Sequence, residues 1–333
     1  MRTRRQTWIT VVVLLTLFAV ASYWWLEARH LGTPPVTDST YTEFQPEPFP
    51  VGVDPKTETI TEAATLAPYL EQHFSYLQNE PSQLSLLSTR IKNAIKQSIL
   101  YQQLASPSVR QLIISPGDHP ETVFSRVVTL FNWSQEEQTA FTNILDAGQH
   151  EHTVTPIIPG TYTLSRNSTP IAVYNALEDT FLAELKSRYP EATETVVPLR
   201  EAMILASLLE REAAGFYDMR YISGVIWNRR FIDMNLQIDA TLQYAKTIAT
   251  DNATWPPVNP DDKYIESPFN TYQNLDLPPA PIAIPSVAAV IATLNPRSTE
   301  CIFYFHNRNR EFFCSPTYEE HVEKLIQQYG QGR

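Results

Sequence analysis

At 333 residues and 43% hydrophobic content, the chain can bury one large core or two modest ones, which excludes disorder throughout. Acidic residues number 36 against 25 basic ones, and Arg2, Arg4 and Arg5 fall in the first seven positions, so the remainder is more acidic still. A surface with that balance repels phosphate backbones and argues against nucleic acid as a partner.

In chain order, the first feature is "QTWITVVVLLTLFAVASYWWL" (6–26), which carries no charge and at about 1.5 Å per residue matches a bilayer core. The expected elements are a cytoplasmic stub (1–7) and a transmembrane helix (8–26), with arginines inside and Trp24 and Trp25 at the outer interface. A cleaved signal peptide ending near Ala19-Val20-Ala21 is the alternative. Residues 27–59, rich in Pro, Thr and acids, read as an extended tether. Residues 60–108, with Leu66, Leu70, Phe74 and Leu77 at helical spacing, read as a helical spacer interrupted by Pro81.

From 109 to 190 the texture changes. "VRQLIISPGDHPETVFSRVVTLF" places a β-branched run before a Pro-Gly-Asp turn and an amphipathic helix, and "TVTPIIPGTYTLSRNSTPIAVYNALEDTFLAEL" repeats strand, turn and helix. Such units fit a LysM-like module or a plain α+β subdomain. Residues 191–333 are expected to be mostly helical, with helices at about 198–215 and 219–231, a proline-dense loop leading into another helix, and a final helix from about Thr317. Between the last two, "CIFYFHNRNREFFC" reads as a hairpin centred between Asn307 and Arg308. That register sets Cys301 against Cys314, as a disulfide in an oxidising exterior or as two reduced core thiols. These two with His306 are too few ligands for a metal, and nothing calls for an organic cofactor.

The segment "ASLLEREA" (206–213) raises the question of chemistry. On a helix Glu210 and Glu212 point about 200° apart, so they cannot line one cleft together. Glu210 has small neighbours (Ala206, Ser207, Ala213, Ala214) that leave room for a ligand, whereas Glu212 has Leu208, Leu209 and Phe216. Glu210 is the better candidate acid; a solvated helix face is the bland alternative.

"ASLLEREA", "VIWNRRFIDMNLQIDATLQYA", "SPFNTYQNLDLPPAPIAIPS" and "TYEEH", in this order over about 195–325, resemble the YceG-like family of endolytic murein transglycosylases. The resemblance implies an α+β protein: a single N-terminal transmembrane helix, a LysM-like module, and a catalytic domain with a small β-sheet. It implies Glu210 as acid/base, first protonating the bond between N-acetylmuramic acid and N-acetylglucosamine, then deprotonating the C6 hydroxyl to leave a 1,6-anhydro end. Asn228, Arg229, Gln237, Asp239, Asn270, Thr271 and Tyr272 match family positions that would contact substrate. Peptidoglycan strands, the bacterial cytoplasmic membrane and penicillin-binding proteins are the implied partners, with the catalytic domain on the cell-wall side. Departures fall at Ala240, Asp276, Ala280, Ser286 and Phe312, where the family usually has Pro, Gly, Gly, Gly and His. Two competing readings remain: a non-catalytic glycan-binding scaffold, and a hydrolase using Asp239 or Glu266 as a second carboxylate.

Overall fold

A computed structural model describes residues 46–74, 91, 92, 95, 98, 108–250 and 255–330. The stub and transmembrane helix expected at 1–26, and most of the expected spacer, lie outside the described residues. No helix among those described is long and apolar enough to cross a membrane.

The architecture is α+β, with three two-stranded antiparallel sheets among the described residues. Strands β1 (Val53–Asp54) and β2 (Thr59–Ile60) form a short hairpin ahead of helix α1 (Leu66–His73). This corrects the expectation of an extended tether to residue 59. Phe49 and Val53 are buried in the main core, and the backbone is tied by Phe49 N–H to Arg188 O and by Gly52 N–H to Leu294 O. The apolar pattern of "FPVGV" is too short to show a period, yet two buried side chains and a few backbone bonds suffice to dock it.

Next comes a compact strand-helix unit: β3 (Val109–Ile114), α2 (Pro120–Phe131), α3 (Gln135–His152) and β4 (Gly160–Ser165). The strands pair with each other from Val109↔Ser165 to Ile114↔Gly160, so the two strand-turn-helix patterns in the sequence share one sheet. Pro120 opens α2, where its missing N–H costs nothing. Ser134 and Glu137 form a reciprocal capping box at the start of α3. Leu112, Val127, Phe141 and Tyr162 fill a second, smaller core, joined by Val173 and Leu177 of the next helix and by Ile284.

Helices α4 (Pro170–Glu184) and α5 (Glu191–Val196) lead to the helical domain. Its centre is α6 (Leu199–Glu212), α7 (Phe216–Phe231) and α9 (Val287–Leu294), with α8 (Asp239–Thr250) alongside. Every residue of α9 from Ala288 to Leu294 is buried, as a helix apolar on all sides requires, and its one polar side chain, Thr293, donates to the Ala289 carbonyl. Helix α6 is buried continuously from Ala202 to Leu209 and then emerges as Glu210-Arg211-Glu212. Gly224 lets α7 approach the chain at Arg297, because a Cβ there would lie 2.3 Å from the Arg297 carbonyl oxygen.

The domain closes with β5 (Phe303–His306), β6 (Phe312–Ser315) and α10 (Tyr318–Tyr329). The hairpin register pairs Tyr304 with Cys314 and His306 with Phe312, which moves its centre to Asn309 from the expected 307/308. Cys301 lies just before β5, and a disulfide joins it to Cys314 with a Cα–Cα separation of 5.7 Å.

Candidate active site

Glu210 sits where the helical domain meets the strand-helix unit. The Pro116-Gly117-Asp118 turn of that unit lies against it, with the Gly117 backbone in the left-handed region at φ 78°. A Cβ on Gly117 would be 3.7 Å from Glu210 Cγ. Asp118 steadies the turn by accepting from Ser115 N–H at 2.9 Å and from Arg126 at 2.7 Å. The turn also exchanges backbone bonds with the proline-dense loop, Gly117 N–H to Ile284 O and Ile284 N–H to Asp118 O, both 2.9 Å. A cleft of about 190 Å³ opens on this seam, lined by Pro120 and Thr153 on one side and Arg200, Met203, Tyr244 and Pro285 on the other.

The carboxyl of Glu210 is partly buried, and its Oε2 accepts from the Ser286 hydroxyl at 2.7 Å and the Ser286 N–H at 3.0 Å. Burial pushes its pKa above the usual carboxylate range, while the Ser286 donors and the Arg211 charge pull against that shift. Arg211 lies over the Trp255 ring, 3.8 Å from its centroid. The small neighbours noted in the sequence do not leave an empty space: Ser207 is fully buried and accepts from the N–H of Ile282 at 3.0 Å, bringing the loop onto this face of α6.

Glu212 faces another set of groups. It accepts from the Tyr304 hydroxyl at 2.9 Å. Burial is the main cause of its raised pKa, the Tyr304 bond opposes the shift, and the nearby negative charge of Asp239 adds to it. Asp239, exposed at the start of α8, accepts from Tyr272 Oη at 2.6 Å. Burial and this acidic partner push the Tyr272 hydroxyl pKa up.

The other residues singled out in the sequence separate into two groups. Asn228 donates to the Thr299 and Cys301 carbonyls, and buried Arg229 donates to those of Ile302 and Leu236. Asn270 and Thr271 are also buried. Asn270 binds the Lys263 and Ile265 carbonyls and the Tyr272 N–H, while Thr271 Oγ1 holds the Ile238 N–H and Thr241. These four hold backbone segments together, Asn228 half-buried and the other three buried. Gln237, by contrast, is exposed in the left-handed region at φ 52°, held there by its N–H to Thr271 O at 3.0 Å. Gln237, Asp239 and Tyr272 are therefore the surface members of the set.

The departures also find places. Ala240 is buried at the start of α8, and Ala280 lines the seam cleft. Asp276 occupies the left-handed region at φ 65° and pairs with Arg230 at 2.7 Å. Phe312 packs on Tyr304 and Tyr221, and the histidine beside it is His306 on the paired strand, bonded to Asp218 at 2.7 Å. Sequence reasoning missed Tyr304 and the Asp218–His306 pair, and it read the Pro-Gly-Asp turn without its packing against Glu210. Only "PGD" and the Pro-Ser before an apolar run carried a local signal.

Among the described residues, Glu151, His152 and Glu178 could offer a cation three ligand atoms within 4.8 Å of one another. His152 and Tyr174 already bond Glu178 Oε1, at 2.7 and 2.6 Å.

A helical domain joined to a βααβ unit, with a partly buried carboxyl whose pKa burial raises at their seam, defines an α+β protein. The chain belongs to the YceG-like family, whose model matches residues 62–327. Two curated relatives are named endolytic murein transglycosylase. That of Bacillus subtilis is 31% identical over 147 residues (44% of this chain, 38% of the relative), and that of Streptococcus pneumoniae strain D39 is 26% identical over 161 residues (48% and 29%). The matched region thus spans less than two fifths of either relative. The crystal structure of a YceG-like protein from Listeria monocytogenes shares the fold, with TM-score 0.55 and 22% identity over 64% of this chain and 75% of that one.

Proposed function

We propose that this protein cleaves peptidoglycan glycan strands endolytically, between N-acetylmuramic acid and N-acetylglucosamine, leaving 1,6-anhydro ends. The observation that carries the reading is Glu210: a carboxyl whose pKa burial raises, bonded to Ser286 and lying against the Gly117 turn where the two units meet, in a chain whose relatives bear that activity as their name. Protonated Glu210 gives its proton to the glycosidic oxygen as the bond to C1 breaks. The resulting carboxylate takes the proton of the C6 hydroxyl, whose oxygen bonds C1. The group ends as it began, and water is not consumed.

A two-carboxylate hydrolase fits less well, because Asp239 acts on Glu212 and Tyr272 on the other side of α6, while Arg211 is the charge acting on Glu210. Gln237, Asp239 and Tyr272 are assigned to substrate contact. The βααβ unit is read as LysM-like from its element order, and residues 8–26 as a membrane anchor from their apolar length. Together they would hold the enzyme on the cell-wall face of the cytoplasmic membrane, where new strands emerge from penicillin-binding proteins.

Mass spectrometry of uncrosslinked glycan strands incubated with the full chain tests the reading. Anhydro-ended fragments from wild type and none from Glu210→Gln support it. Reducing ends would make the protein a hydrolase, and intact strands in every case would make it a binding scaffold.

A further inference from the structure

The two carboxyl oxygens of Glu210 are not equivalent. Oε2 takes both bonds from Ser286, the hydroxyl at 2.7 Å and the N–H at 3.0 Å. Oε1 accepts no hydrogen bond among the described residues, and it is not among the buried polar atoms left without a partner. The Ser286 hydroxyl has one proton; with that proton on Glu210, its oxygen accepts from Ala289 N–H at 3.1 Å, which fixes its direction. Ser286 is the N-cap of α9, so the positive end of that helix also faces Oε2.

We propose that Ser286 is a positioning residue that clamps Oε2 of Glu210 and leaves Oε1 to release the proton to the glycosidic oxygen and to receive the one from the C6 hydroxyl. The proposal rests on the acid/base reading of Glu210 above and adds a division of labour between its oxygens. Two donors and a helix terminus all favour the ionised form, opposing the burial that favours the neutral one. An acid that must give a proton in one half-reaction and take one in the next works best between those extremes. The titratable and charged groups on the elements around Glu210 are Arg211 and Glu212 on α6, Asp118, His119 and Glu121 on the turn and the start of α2, and Tyr244 on α8. Asp118 is paired with Arg126 and His119 with Glu121, while Glu212 is held by Tyr304.

The test is the titration of the Glu210 carboxyl in the full chain, by carbon-13 NMR of labelled glutamate assigned with Glu210→Gln. Because the lost hydroxyl donor binds the carboxylate more strongly than the neutral acid, Ser286→Ala should raise the Glu210 pKa by about 0.4–1 unit, a roughly three- to tenfold weaker acid. Ser286→Thr, which keeps the hydroxyl, should titrate like wild type. The alkaline limb of the pH–kcat/KM profile for strand cleavage should move up with the NMR value. Ser286→Gly, which keeps the N–H donor and is tolerated at an N-cap, gives the same comparison if Ser286→Ala does not fold. A merely structural cap would lower the Tm and leave the carboxyl titration unmoved, and that result overturns the proposal. If the titration moves but no variant cleaves glycan, the clamp stands and the proposed reaction fails.

Discussion

Glu210 and Glu212 leave one helix two residues apart, and burial pushes both carboxyls up, yet they meet different surroundings. Glu210 faces a seam between two units and is held by a serine that sends both donors to one oxygen, leaving the other unbonded among the described residues. Glu212 faces inward to the hairpin, bonded to Tyr304 and close to the charges of Asp239 and His306. A raised pKa is therefore common to both and distinguishes neither. What separates them is the company each keeps: Ser286 and the Gly117 turn at the junction of two units for Glu210, Tyr304 and the Asp239 and His306 charges for Glu212.

Substitution is the sharpest way to break the comparison. Glu210→Gln should lower strand cleavage by about 10²-fold or more, the scale of general acid–base catalysis, as read by anhydro product formation. It should leave the Tm at neutral pH unchanged or slightly higher, because an acid with a raised folded-state pKa costs stability once ionised. Glu212→Ala should do the opposite: a loss of about 1–3 kcal/mol in denaturant unfolding, from orphaning the partly buried Tyr304 hydroxyl, with cleavage per folded molecule reduced far less. Equal activity losses in the two variants would erase the distinction.

A smaller effect concerns the Glu212 side alone. The bond to Asp218 raises the His306 pKa above its ordinary 6.5. The protonated ring is favoured in the fold, so the stabilisation is full below about pH 6.5 and is lost as pH rises through the higher folded value. The Tm difference between wild type and His306→Gln should thus shrink between pH 6 and pH 8.5. The change should amount to under about 1 kcal/mol, since the ring is partly exposed to solvent. The smallest expected effect is at Asp276→Gly, where relief at φ 65° and loss of the Arg230 pair nearly cancel, to within about 0.5 kcal/mol in thermal unfolding.

Much of this arrangement is readable in the sequence, and the rest is hidden for identifiable reasons. Helices α6 and α10 announce themselves by apolar spacing and by Pro198 and Thr317 at their starts; α7 begins at Phe216, three residues before the expected Met219, and α6 ends at Glu212, three residues short of the expected Gly215. The hairpin is legible but its register is not, because "FHNRNRE" allows more than one turn centre and the aromatic alternation on both sides suits each. The docking of Phe49 and Val53 escapes notice because its partners lie more than 100 residues away. The Asn228, Arg229, Asn270 and Thr271 motif residues are visible as a pattern. That their polar atoms are consumed by backbone carbonyls and amides is a fact of three-dimensional packing that no spacing reveals. Ser286 stands out in the sequence only as a departure from the family's glycine, and its partner Glu210 is 76 positions upstream.

The exchanged bonds between Gly117, Asp118 and Ile284 limit how freely the two units can be recombined. The peptide that the turn grips lies two residues before Ser286, so the placement of the Glu210 clamp is shared property of both units. A chimera that grafts a foreign βααβ unit onto this helical domain would have to bring a turn of the same shape, Pro-Gly-Asp or its equivalent, or it would inherit the acid without its alignment.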